Sequence, residues 1–188
     1  MKWAFAISLL TTTAMATPVP APDVDAYRLR VISNEKAIGG EVLRVSNGKV
    51  GVFKSVEAPE LAVYVAPAAR SDQVILHSYP AGASDNVLAL IGENNLLTLS
   101  TVEDPSVKGL RPNSTIDWSF SMDRRAPPAA EGSRDTSKDL LYTARSGKWI
   151  AMPQGNAGDW VMMFRAAGDG YTVTIDMPAK IVYERIEW

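Results

Sequence analysis

The chain has no cysteine and a single histidine among its 188 residues. Without cysteine there is no disulfide, no thiolate-bound zinc, no iron–sulfur cluster and no thiol nucleophile. One histidine excludes every multi-histidine metal site. An excess of one charge is also lacking, since 19 Lys and Arg stand against 21 Asp and Glu, a net of −2. No basic surplus is available to neutralise phosphates, so nucleic acid is not an expected partner. Apolar runs of membrane-spanning length are missing downstream of the N-terminal segment. No phosphate-binding glycine loop, G-x-S-x-G elbow or D-x-D-x-D-G calcium loop occurs. No cofactor and no metal are therefore expected. What remains is 46% apolar, which is ordinary for a globular chain and too apolar for a disordered one.

Met1-Lys2 is a short positive start, and residues 3–16 (WAFAISLLTTTAMA) carry no charge. Ala14-Met15-Ala16 fits the small-x-small cleavage rule. Residues 1–16 thus read as a secretory signal peptide. A transmembrane helix needs about 20 predominantly apolar residues, and Thr11, Thr12, Thr13, Pro18 and Pro20 cut this run short. Residues 17–26 open with TPVPAP, whose alternating prolines favour an extended polyproline II spacer. Removal of residues 1–16 takes away one lysine and no acid, so the mature chain is slightly more acidic. The C-terminal segment is charged and lacks the apolar tail of a lipid-anchor signal.

Residues 27–188 read as a single β domain. Short β-type runs alternate with turn residues: 27–32, 41–46, 49–53, 61–65, 73–77, 87–91, 96–100, 114–120, 139–143, 148–152, 160–164, 171–177 and 181–188. Asn47-Gly48 lies between two of them. This is the strongest short hairpin signal, because a type I′ turn needs positive φ at both central residues. Ser146-Gly147 and Gly168-Asp169-Gly170 read as further hairpin turns. Ile116, Trp118 and Phe120 alternate as one face. About 12 such strands at this spacing predict an all-β antiparallel sandwich or barrel, with a β-trefoil as the alternative. A chain of this length buries roughly 70% of its unfolded surface, enough for a core without disulfides. Residues 122–138 (MDRRAPPAAEGSRDTSK) show no periodicity and read as a flexible loop. That loop separates a larger N-terminal β block from a smaller C-terminal one.

Several residues are candidates for function. Asn113-Ser114-Thr115 is the one N-glycosylation sequon, with Asn113 as acceptor. Arg124-Arg125, inside the loop, is a candidate processing site, since proteases need an accessible stretch. His77 could pair with Asp72 or Asp85 and a serine in a hydrolase triad, although geometry must precede identity. The acids Glu41, Glu57, Glu60, Asp85, Glu93, Glu103, Asp104, Asp117, Asp159, Asp169 and Asp176 could supply a glycosidase pair, which leaves no local signature. Asp169 is explained by its turn and Asp117 by the polar side of its strand. Trp118 reads as core. Trp149 and Trp160 lie next to turns and are the candidates for stacking on a sugar ring, joined by Tyr64 and Tyr171. Core packing is the default for every one of them.

Residues 27–54 combine an extended YRLRVIS, a small-polar loop and EVLRVSNGKVGV. This segment resembles the opening of small secreted fungal wall-associated proteins of the IgE-binding type. The resemblance implies an extracellular or wall location and no established catalysis, and it transfers no catalytic residue.

The sequence thus predicts a secreted, non-enzymatic extracellular or wall-associated β protein with a binding or structural role, and a cell-wall polysaccharide or other glycan as candidate partner. A carbohydrate-active hydrolase using two of the acids and a lectin-like sugar-binding module are the alternatives.

Overall fold

The computed structural model describes residues 24–67, 73–79, 86–103, 114–122, 138–155, 158–168 and 176–187. Among the described residues 63% are in strands or bridges and none is helical. No helix there is long and apolar enough to cross a membrane. The strands are β1 (Ala26–Ile32), β2 (Arg44–Ser46), β3 (Lys49–Val52), β4 (Ala62–Pro67), β5 (Val74–Tyr79), β6 (Val87–Glu93) and β7 (Leu96–Val102). They continue with β8 (Ser114–Asp117), β9 (Ser121–Met122), β10 (Lys138–Leu141), β11 (Gly147–Pro153), β12 (Trp160–Ala166), β13 (Met177–Pro178) and β14 (Lys180–Arg185).

The all-β expectation holds, and its form is one antiparallel sheet curled into a half-barrel. Twelve strands follow the path β13-β11-β12-β3-β7-β6-β5-β4-β1-β14-β10-β9, with β2 beside β3 and β8 beside β6. This order contains no threefold repeat of hairpins, which a β-trefoil requires. Residues 177–185 touch both flanks of the curl. Met177 and Pro178 pair with β11, while the next strand pairs with β1 from Lys180↔Ile32 to Arg185↔Tyr27. Ala179 joins the two and donates its N–H to the Trp149 carbonyl at 3.2 Å.

Period-two alternation places the core. Leu29 and Val31 of β1, Val63 of β4, Leu76 of β5, Leu88 and Leu90 of β6, and Leu97 and Leu99 of β7 turn inward together. Met162, Phe164 and Ala166 of β12 join them, with Ile181 and Tyr183 of β14. On the opposite face of β12, Val161 and Met163 pack with Phe53 and Ala58 in a second, small cluster. The Asn47-Gly48 turn is as predicted: φ is +50° at Asn47 and +74° at Gly48, and Ser46 faces Lys49.

Three expectations need correction. Residues 139–143 and 148–152 do not form a hairpin around Ser146-Gly147. Strand β10 pairs with β9 and β14, and β11 pairs with β12 and β13. Gly147 opens β11, where a Cβ would collide with the Arg165 carbonyl and the Phe164 ring. This glycine serves close approach of backbone, so its turn reading fails.

Ile116, Trp118 and Phe120 do not share one buried face. Ser119 donates its N–H to Asp117 Oδ1 at 3.0 Å, an Asx turn that resets the alternation after Asp117. Phe120 is fully buried and bridged to Val74, while Ile116 and Trp118 are half-buried.

The strands on either side of residues 122–138 also do not segregate into two blocks. Strand β12 pairs with β3 and β7, and β14 pairs with β1. The C-terminal strands are too few to cover their own inward side chains, and interleaving covers them. Residues 123–137 lie outside the described residues.

Candidate functional site

The two tryptophans read as stacking candidates sit differently. Trp149 is buried, packs edge-on against Phe164 with ring centroids 5.5 Å apart, and donates its indole N–H to the Leu140 carbonyl at 3.0 Å. Its ring has no open face for a sugar, because β11 turns it inward beside Ala151. The exposure expected of Trp149 is corrected on that ground. Trp160 is half-buried against the core, at the start of β12 opposite Pro153 and Val52.

The most heavily engaged acid is Asp159, which lies just before β12 and is buried. It accepts the backbone N–H of Lys54 at 2.7 Å and of Ser55 at 2.9 Å on Oδ1, and the Ser55 hydroxyl on Oδ2. These donors, the Ser55 side chain first, hold its carboxyl below the usual carboxylate range against the opposing effect of burial. The contact ties the chain after β3 to the entry of β12, over the Phe53–Val161 cluster. Sequence reading placed Asp159 among the acids but missed this role, because its partners are some hundred residues away in the chain.

A second polar group sits at β8. Tyr142 donates its hydroxyl to Asp117 Oδ2 at 2.9 Å, and Arg145 reaches Thr115 Oγ1 and the Asn94 carbonyl at 3.4 and 3.3 Å. Burial, then the bond to Asp117 and its charge, pushes the Tyr142 phenol well above its ordinary value, with Arg145 pulling the other way. Tyr142 packs edge-on against Phe164, with centroids 4.8 Å apart. Its hydroxyl thus satisfies Asp117 at the rim of an aromatic cluster.

Three further acids pair with cations on the outward face. Glu60 lies beside Arg28 and Arg44, Glu184 beside Arg30, and Glu41 2.9 Å from Lys54. Asp176 and Arg165 pair through atoms shut off from water. Glu57, Glu93 and Glu103 are exposed. No group of three or more His, Asp or Glu able to hold a metal is found among the described residues.

His77 stands on β5 opposite Tyr64 of β4. Their rings stack, with centroids 5.1 Å apart and planes 26° from parallel. The triad partners considered for it, Asp72 and Asp85, lie outside the described residues, as do Asp104, Asp169 and Tyr171. Asn113, Arg124, Arg125 and residues 1–16 lie outside them too. Comparison with protein-family models, curated proteins and solved structures finds no match to this chain.

Proposed function

We propose that this chain is exported and acts outside the cell, at a wall or surface, as a non-enzymatic protein with a binding or structural role. One observation carries the reading: three of the candidate acids are engaged in holding the sheet together. Asp159 binds Lys54 and Ser55, Asp117 binds Tyr142, and Asp176 pairs with Arg165. A carboxylate whose pKa is lowered by several donors is a poor proton acceptor. The charge-free run of residues 3–16 and its Ala14-Met15-Ala16 end support export. The resemblance of residues 27–54 to fungal wall-associated proteins supports a wall or surface location.

The test is a glycan panel read for binding and for hydrolysis on the same wells, with the chain lacking residues 1–16. Binding without turnover, or silence in both readouts, agrees with the proposal. Turnover of any saccharide contradicts it and favours the hydrolase.

A further inference from the structure

We infer that Asn47 is a site of self-modification: its carboxamide condenses with the Gly48 backbone nitrogen, and water opens the ring to aspartate or isoaspartate. The inference does not depend on the extracellular reading above. Asn47 is the only asparagine in the chain that glycine follows. It is exposed at the tip of the β2–β3 hairpin, and its side chain makes no hydrogen bond among the described residues. Asn86 and Asn95, by contrast, have partners. Gly48 brings no side chain to crowd its own nitrogen. The β2–β3 ladder ends at Ser46↔Lys49, so it leaves that nitrogen at the open tip.

The Gly48 nitrogen attacks Asn47 Cγ. An N–Cγ bond forms, the Cγ–Nδ2 bond breaks, and the Gly48 amide proton leaves with the ammonia. Water then cleaves the five-membered imide at one of its two carbonyls. Cleavage at Cγ gives aspartate, and cleavage at the main-chain carbonyl gives isoaspartate. The φ values of +50° at Asn47 and +74° at Gly48 are those of a type I′ turn. In that turn Asn47 Cβ and the Gly48 nitrogen lie on opposite sides of the Cα–C bond, so the ring closes only from an opened tip. Strands β2 and β3 are three and four residues long, and an exposed tip on such short strands opens at low cost.

Asn94 is the competing site in the same chain. It too is exposed at a hairpin tip, with φ of +57°. Asn95 follows it, and a side chain there crowds the attacking nitrogen. Strands β6 and β7 are seven residues each and hold that tip more firmly. The two products at Asn47 differ in what they do to the turn. Aspartate keeps it, since aspartate tolerates the left-handed conformation. Isoaspartate routes the main chain through Cβ, and a two-residue loop has no slack for the added carbon. The Ser46↔Lys49 register is then lost, and with it the 2.8 Å bond from the Thr101 N–H to the Gly48 carbonyl.

The experiment incubates the purified chain at mildly alkaline pH, digests it with trypsin and reads peptides 45–49 and 71–108 by mass spectrometry. The expected result is conversion of Asn47 to a carboxylate, as separable aspartate and isoaspartate peptides, about tenfold ahead of Asn94. Protein carrying isoaspartate, separated before digestion, should lose amide-exchange protection at Thr101. N47D, which stands for the aspartate product, should keep it. Asn47 left intact, or converting no faster than Asn94, overturns the inference. Thr101 equally protected in the isoaspartate form, or equally exposed in N47D, overturns the difference drawn between the two products.

Discussion

Asp159 shows how one side chain can carry a junction. Two backbone N–H groups and one hydroxyl converge on its carboxylate, and all three belong to Lys54 and Ser55. Because its folded pKa is depressed, its stabilisation is complete above the ordinary carboxylate value of about 3.9 and is lost as pH falls through the lower folded value. D159N should therefore lower the melting temperature at neutral pH. The gap to the parent should narrow below about pH 4, as the parent's carboxylate protonates. A gap that stays constant down to pH 2 would contradict the assignment of Asp159 as an ionised anchor. This role was not legible in the sequence, where Asp159 is one acid among many and its partners lie far along the chain. Trp149 was equally hidden. Its place beside a turn suggested exposure, yet the inward phase of β11 and the Leu140 carbonyl claim both its ring and its N–H.

Strands and turns were the most legible level, because their signals are local. Short β-type runs of five or six residues between turn residues located β1, β6, β7, β11 and β12, and Asn47-Gly48 named its own turn type through positive φ. Pairing was harder. Whether β10 meets β11 or β14 depends on which inward side chains need cover, and that is set by distant strands. Glycines inside strands mark such non-local contacts. Gly51 of β3 lies against the backbone of Trp160 and Val161, and a Cβ there would collide with the Trp160 carbonyl. Overpacking of this kind costs about 1–3 kcal/mol. G51A should show that loss in urea unfolding, whereas a midpoint equal to the parent's would mean that β3 and β12 do not approach so closely.

At the scale of the molecule, one curled sheet is assembled from strands that interleave along the chain. Residues 177–185 reach β11 with one end and β1 with the other, so the C-terminal segment fastens the fold to its N-terminal strand. A single core cluster draws on β1, β4, β6, β7, β12 and β14. A core of this extent needs no disulfides, so the absence of cysteine is compatible with the proposed extracellular location. The fold class was legible because about a dozen short runs with turn residues between them leave few alternatives. The Tyr64–His77 ring pair was not legible, because the two residues are thirteen positions apart and meet only through the β4–β5 register. The central claim is export, and the most direct measurement is mass spectrometry of the N-terminus after expressing the full chain and separating extracellular material from cell contents. The account predicts an extracellular species that begins at Thr17. A chain that keeps residues 1–16 and stays inside the cell would contradict it.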